Sequence, residues 1–138
     1  MATQNNISDY AKAIQAQLTA VVNPVPVYAS FNRNFATQQK FITWNLRNVH
    51  QEVYTGNIQS VKGIDRPIFQ TNVYAGTLQE AFSLTNTIIQ ALHGYSGQFG
   101  GVGGFYVSKI DVDMLYNSFD NDIGLHSIYL DCTMDIPA

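Results

Sequence analysis

Residues 105–136, FYVSKIDVDMLYNSFDNDIGLHSIYLDCTMDI, alternate between apolar and polar side chains along two long stretches. The first stretch covers residues 105–117 and the second covers residues 123–136, with SFDND between them. Successive side chains of a strand point to opposite faces, so each stretch predicts a strand with one buried side and one solvated side. Together they predict two paired strands of a sheet that is covered on one face.

The same alternation assigns individual side chains to the two faces of these strands. The apolar face is predicted to hold Tyr106, Ile110, Val112, Met114, Ile128, Leu130, Cys132, Met134 and Ile136. The solvated face is predicted to hold Lys109 and Thr133 together with four carboxylates, Asp111, Asp113, Asp131 and Asp135.

The segment before these strands, GYSGQFGGVGG at residues 94–104, contains six of the ten glycines. It predicts a flexible or tightly turning loop. A phosphate-binding loop is not favoured, because GxxxxGK[ST] is missing and the loop follows a helix instead of preceding one. The loop is either simply mobile or ordered against a neighbouring subunit. The candidates for such an inter-subunit contact are Gly97, Gln98, Phe99, Gly100, Gly101, Gly103 and Gly104.

Residues 77–94, TLQEAFSLTNTIIQALHG, carry the clearest helix signal. Thr77 and Glu80 form a capping-box pattern, and Gly94 stands where a left-handed C-terminal cap is needed. The predicted apolar face comprises Leu78, Ala81, Phe82, Thr85, Ile88, Ile89 and Leu92. We therefore expect Leu78, Phe82, Ile88 and Ile89 in the core, with Phe82→Ala costing roughly 3–5 kcal/mol.

Upstream, apolar residues at helical spacing predict a first helix over about residues 8–22, which the NPVP segment ends. Strands are predicted at 27–30, 41–46 and 68–75, and 49–55 is either a further strand or a continuation of the second one. Residues 31–40 are predicted to form a loop, and Gly56-Asn57 is predicted to form a turn. The predicted fold class is α+β: a mostly antiparallel sheet of four to five strands with two α-helices packed on one face. We expect one domain, residues 1–138.

Composition excludes several classes of function. Charged residues make up 12% of the chain, about half the usual share, which favours either contacts with other chains or simply a neutral surface. The net charge is −3 and the seven basic residues are scattered, so no phosphate-binding patch is predicted. No apolar run is long enough to span a bilayer, and the N-terminus has no signal-peptide pattern. One cysteine is compatible with a reducing compartment.

No arrangement of reactive residues predicts catalysis or a cofactor, and we expect a protein that is not an enzyme. The four carboxylates named above could hold a hard cation, but a solvated acidic face explains them more simply. His50, His93 and His126 are too scattered for zinc, and Cys132 is expected to pack in the core. Trp44 in FITWNL suits the core better than an interface, although aromatic residues are enriched at interfaces.

Nearly the whole chain resembles the tail-completion, or tail-terminator, proteins of long-tailed bacteriophages. The likeness is carried by an N-terminal amphipathic helix leading to NPVPVY, the aromatic strand FITWNL, the segment FQTNVYAGTLQEAFSLTNTIIQALHGY, and a Gly-rich loop before VSKIDVDMLYN and GLHSIYLDCTMDI. The segment at residues 69–95 is its most specific part.

This resemblance implies an assembly role and no reaction. It implies a homo-oligomeric ring, commonly of six subunits, that caps the tail tube, ends its polymerisation and meets the head-completion or connector protein. Genomic DNA would pass through the ring without specific binding, and the protein would be made in the host cytoplasm and reside in the virion. We hypothesise that Asp111, Asp113, Asp131 or Asp135 faces the channel, where carboxylates would repel phosphates.

Two other interpretations stay open. A neck or head-completion ring between portal and tail would have the same kind of sequence. A small-molecule-binding domain on an α+β scaffold is the third interpretation, because fold alone does not fix function.

Overall fold

The computed structural model describes residues 7–30, 39–51 and 64–137. In chain order the elements are α1 (Ile7–Val22), β1 (Val27–Ala29), β2 (Lys40–Gln51), β3 (Ile64–Ala75), α2 (Leu78–Leu92), β4 (Gly97–Phe99), a 3-10 turn (Gly101–Gly103), β5 (Phe105–Val107), β6 (Lys109–Asp120) and β7 (Leu125–Pro137).

Five strands form one sheet in the order β1-β2-β3-β7-β6, and β4 and β5 form a separate two-stranded hairpin. β1 pairs with β2 in parallel, and every other pair in the sheet is antiparallel. The predicted α+β class and the mostly antiparallel sheet are therefore confirmed. Both outer strands, β1 and β6, are edges of this sheet.

Two register shifts interrupt the pairing of the long strands. One lies between Leu46 and Asn48 in β2, and the other lies between Met114 and Tyr116 in β6. Because β2 runs through the first shift to Gln51, the start of the predicted 49–55 segment is a continuation of that strand. The rest of that segment, the Gly56-Asn57 turn and most of the 31–40 loop lie outside the described residues.

The helices and the small hairpin cover one side of the sheet, which we call the helix side. Its buried side chains alternate along β7 as predicted, with Ile128, Leu130, Cys132, Met134 and Ile136 all at most 2% exposed. From α1, the core receives Tyr10, Ala13, Ile14, Leu18 and Val22. The alternation in sequence and the spacing of α1 therefore converge on one core.

Helix α2 begins as predicted, but two side chains of its predicted apolar face are exposed. The Thr77 hydroxyl accepts a hydrogen bond from the Glu80 amide at 3.2 Å and donates one to the Glu80 carboxylate at 3.2 Å. Leu78 and Phe82 are 37% and 41% exposed, so their predicted place in the core is wrong. Ala81, Thr85, Ile88 and Leu92 are buried as predicted, and Leu84 is buried in addition.

The reason is that α2 has apolar residues on more than one face. Leu78, Phe82 and Ile89 form a stripe at spacings of four and seven, while Ala81, Leu84, Ile88 and Leu92 form another. Periodicity alone does not choose between them. Packing against the sheet selects the second stripe, with Ile88 fully buried as predicted and Ile89 partly buried.

The predicted strand at 105–117 is divided at Ser108 into β5 and β6. β5 leaves the large sheet and pairs with β4, so Tyr106 is not on the same buried face as Ile110 and is 55% exposed. Met114 is 44% exposed because it lies on the edge strand just before the bulge. Placing Tyr106 and Met114 in the core is therefore wrong, whereas Ile110 and Val112 are buried as predicted.

Candidate assembly surfaces

The side of the sheet away from the helices, here called the open face, carries a layer of ion pairs at one end. Strand register places Asp113 directly opposite Asp131 and Lys109 directly opposite Asp135. The Arg47 guanidinium donates a hydrogen bond to Asp131 Oδ2. Arg66 lies 3.4 Å from Asp135, and Lys109 lies 3.3 Å from Asp111.

This ionic layer differs from the acidic face that the sequence suggested. All four carboxylates do share the open face, as the alternation predicted. Arg47, Arg66 and Lys109 lie among them, and three of the four carboxylates are paired, so the layer carries an excess of one negative charge. β2 and β3 supply two of these cations, and sequence spacing could not show that they meet β7.

Within the layer, Asp131 is the most enclosed carboxylate. Its Oδ1 atom is buried and has no hydrogen-bond partner among the described residues, while its Oδ2 atom binds Arg47. That hydrogen bond and the nearby negative charge raise the pKa of the Arg47 guanidinium, which therefore stays charged. Asp113, opposite Asp131, makes no ion pair in the described part of the chain, and like charges placed opposite each other repel.

The other end of the open face is aromatic and polar. Phe41 stacks on Tyr74 with ring centroids 4.8 Å apart, and Tyr116 meets Tyr129 at 4.7 Å. Burial, with a smaller contribution from Tyr129, raises the pKa of the Tyr74 hydroxyl. Asn72 donates to the Thr43 hydroxyl at 3.1 Å. This half of the face is thus mainly aromatic and polar and is partly desolvated, with Asp120 of β6 as a nearby carboxylate.

The glycine-rich segment is folded onto its own chain over much of its length. Phe99 is fully buried, with its ring 6.5 Å from that of Phe69 and 5.9 Å from that of Phe105. The Gly100 amide donates to Gln17 Oε1 of α1 at 3.0 Å. Gly101, Val102 and Gly103 form the exposed tip, and Val102 is fully exposed. Among the inter-subunit candidates, Gln98 and this tip are accessible, whereas Phe99 belongs to the core.

The edge strand β6 carries a cluster of exposed apolar side chains in its second half. Met114, Leu115, Tyr116 and Phe119 are 44–56% exposed. The first half of the edge is covered, because the Gly94 amide donates to Ile110 O at 2.8 Å and the Val112 amide donates to His93 Nδ1 at 3.0 Å. Within the described residues, nothing bonds to the outer edge of residues 114–119. We call residues 113–119 the β6 edge segment.

The opposite edge of the sheet has a groove between α1 and β1. It is open and mostly apolar, with a volume of about 620 Å3. The Trp44 indole forms part of its wall and donates to Gln15 Oε1 at 2.6 Å, so Trp44 is both a core residue and a groove residue. Its other lining residues include Ala11, Lys12, Ala16, Val27 and Ala29. We call this feature the α1–β1 groove.

The remaining reactive side chains have structural surroundings. Cys132 is buried, and desolvation raises the pKa of its thiol to about 12. His93 accepts the Val112 amide, and His126 lies against the ring of Phe119. In the described ranges, no three His, Cys, Asp or Glu side chains are grouped as a metal would require, and no helix is long and apolar enough to cross a membrane.

The sequence contains a signal for the exposed β6 edge segment that the assignment of faces by alternation did not use. Met114, Leu115 and Tyr116 are three consecutive apolar residues, which period-2 alternation cannot place on one face. A bulge at this point exposes such a run. The α1–β1 groove had no sequence signal, because it depends on how α1 sits over β1.

Comparison with solved structures finds the same fold in a chain from a gene transfer agent particle and in one from a contractile injection system. A chain from the virion of a native gene transfer agent particle has a TM-score of 0.58 and 13% identity, with 93% of each chain covered. The sheath/tube terminator of an extracellular contractile injection system in its extended state has a TM-score of 0.56 and 11% identity. That match covers 99% of the present chain, which spans 58% of the terminator chain.

At such identities these similarities establish a shared fold. No protein-family model matches the sequence. No curated protein matches it either.

Proposed function

We propose that this protein is a tail-terminator-like subunit, with residues 1–138 forming one domain that assembles into a closed ring. The ring caps a tail tube, ends its polymerisation and joins it to the head connector. The observation that carries this proposal is the fold shared with a sheath/tube terminator over 99% of the chain. The subunit number expected from the family resemblance is six.

The surfaces of the chain support an assembly role over a chemical one. Two open edges of one sheet carry apolar features, the β6 edge segment and the α1–β1 groove. An exposed edge strand with apolar side chains invites aggregation unless it is paired or covered. A ring of identical subunits covers such edges by repeating one contact between two different surfaces until it closes.

We propose further that the open face lines the channel. The ionic layer holds Asp111, Asp113, Asp131 and Asp135 with three neighbouring cations, so its net charge is close to zero. Surfaces rich in Lys and Arg retain DNA because their binding to phosphates releases counterions. The nearly neutral ionic layer would release few counterions. It would let DNA pass without strong attraction. A ring that places all four carboxylates on its outer rim contradicts this part.

Deletion of the gene in the particle that encodes it tests the terminator role. Without a terminator the tube keeps growing, so we expect overlong tails that lack heads, measured as tail-length distributions by electron microscopy. Expression of the wild-type gene from a plasmid is the control and should restore the normal length. Tails of normal length without the gene contradict the terminator role.

A neck adaptor between portal and tail is the second candidate, and it has the same surfaces. The deletion experiment separates the two functions, because loss of an adaptor leaves tails of normal length that fail to join heads. Gene order gives an independent test, since a terminator gene is expected next to the tail-tube gene. A small-molecule-binding role is less well supported, because the α1–β1 groove is open and almost wholly apolar.

A further inference from the structure

We propose that two carboxylates of β6 prevent the β6 edges of two copies of this chain from pairing with each other. They are Asp113, the first residue of the β6 edge segment, and Asp120, which directly follows that segment. This protection acts in the isolated subunit, whether or not a ring forms. It leaves the edge available for a different surface, as contacts between unlike surfaces in a ring require.

The β6 edge is otherwise well suited to pairing with a copy of itself. Ile110 O and the Val112 amide already hold partners on the outer side of β6. In the described part of the chain nothing bonds to the outer edge beyond them, where four large apolar side chains are exposed: Met114, Leu115, Tyr116 and Phe119. An unpaired edge of this kind is a template for another strand.

Strand register shows which residues would face each other in such a pair. Two antiparallel β6 strands related by a two-fold axis align their edge segments when Asn117 of one copy lies opposite Asn117 of the other. Positions counted along β7 then place Tyr116 opposite Ser118 on the open face. On the helix side they place Met114 opposite Phe119, a favourable contact of sulfur with an aromatic ring.

The two carboxylates meet at both ends of this pair. One position further out, beyond the bulge at Leu115, Asp113 of each copy lies opposite Asp120 of the other. Asp113 is in register with Asp131 and Asp120 is close to Tyr74, so both carboxylates lie on the open face. Neither forms an ion pair with a described residue. Like charges directly opposite each other destabilise a strand pair, and the two-fold axis makes the contact occur twice.

Shifting the pair by one position does not give a better alignment. One shift places Asp111 opposite Asp120 and brings the Val112 amide, which already donates to His93, into the contact. The opposite shift extends past the end of β6 at Asp120 and leaves Met114 without a strand residue opposite it. The alignment that covers the whole edge segment is therefore the one that the carboxylates oppose.

Charge reversal in the full chain tests this protection. We expect Asp113→Lys to dimerise, because each new lysine would face Asp120 of the other copy. Sedimentation velocity should give a dimer dissociation constant at least about tenfold below that of the wild type. Adding Asp120→Lys restores like charges at both ends and should return the constant to the wild-type value. Asp122→Lys makes the same charge change in the adjacent turn and is the control, which should not dimerise.

A neutral variant separates loss of repulsion from a new attraction. Asp113→Asn/Asp120→Asn removes both charges, and an asparagine at position 120 can still accept the Asp122 amide, which Asp120 accepts at 3.0 Å. We expect this variant to dimerise more weakly than Asp113→Lys and more strongly than the wild type. Circular dichroism spectra that match the wild type show that the variants are folded.

Disulfide cross-linking checks the register. In the Asp113→Lys chain, Asn117→Cys should give disulfide-linked dimers, because the two Cα atoms would lie about 5.5 Å apart, within the range of a disulfide. Asn121→Cys is the matched control, since it would lie roughly 26 Å from its copy and should not cross-link. The native Cys132 stays in place, because its buried thiol with a pKa of about 12 does not react near neutral pH.

Three results would overturn this protection. The first is cross-linking of Asn117→Cys at the same rate without any charge change. The second is that Asp113→Lys and the neutral variant, both folded, stay monomeric at every concentration. The third is dimerisation of Asp122→Lys as strong as that of Asp113→Lys. None of these results bears on the ring, which the gene deletion tests separately.

Discussion

Gly100 shows how closely the glycine-rich segment approaches α1. Its backbone has φ of 88°, and a Cβ atom added there would lie 2.5 Å from the Cβ of Ala13. Gly101 has a similar φ of 74° but has open space where its Cβ would be. The first glycine is therefore required by conformation and by packing, and the second by conformation alone.

This difference gives a matched pair of variants. Gly101→Ala should lose roughly 1–2 kcal/mol of unfolding free energy, the strain of a left-handed alanine. Gly100→Ala should lose a further 1–3 kcal/mol or so, because its methyl group overlaps α1. Urea unfolding monitored by circular dichroism measures both. Equal losses for the two variants would mean that the hairpin does not pack against Ala13.

Cys132 makes a pH-dependent contribution to the free energy of unfolding, and comparison with Cys132→Ala isolates it. Burial raises the pKa of its thiol from the ordinary value of 9.0 to about 12, so the folded state binds this proton more tightly than the unfolded state. The contribution is therefore complete below pH 9 and is lost as the pH rises toward 12. Between pH 8 and pH 10, the wild type should lose about 1 kcal/mol more unfolding free energy than Cys132→Ala.

Urea titrations of both proteins at the two pH values supply that comparison. Because the other titrating groups are common to both chains, they cancel in the difference. Parallel pH dependence of the two proteins would show that Cys132 ionises equally in both states and is not buried as described.

At the scale of elements, the sequence predicted those features whose causes are local. The ends of α2 follow from Thr77, Glu80 and Gly94, each of which acts on its own turn of backbone. The buried face of β7 follows from unbroken alternation. Helix faces and edge strands have non-local causes: the sheet selects the buried stripe of α2, and β5 is separated from β6 by its pairing with β4.

The corrected orientation of α2 predicts a large contrast between two of its side chains. Ile88 is fully buried, so Ile88→Ala should cost roughly 2–5 kcal/mol of unfolding free energy. Phe82 is 41% exposed, so Phe82→Ala should cost about 1 kcal/mol or less. Chemical denaturation of both variants tests this, and a cost for Phe82→Ala as large as that for Ile88→Ala would contradict the helix orientation.

Some features of the candidate surfaces could be predicted from the sequence, and others could not. Alternation placed Asp111, Asp113, Asp131 and Asp135 on one face, and the register agrees. Their neutralisation depends on Arg47 and Arg66, which are brought in by pairing across β2 and β3, so sequence spacing could not predict it. The inter-subunit role of the glycine-rich tip stays a prediction, with Val102 as its most exposed side chain.

At the scale of the whole molecule, low charge and two open sheet edges both favour contacts between subunits. Charged residues are 12% of the chain, and most of the described ones pair within the chain. A subunit with little net repulsion and apolar features at both sheet edges is suited to repeated contact with copies of itself. The fold is shared with a sheath/tube terminator.

Cryo-electron microscopy of tail tubes incubated with the purified protein tests this account most directly. The account predicts one closed ring of this chain at one end of each tube. Tubes whose ends stay bare, or carry the protein as isolated monomers, would contradict it.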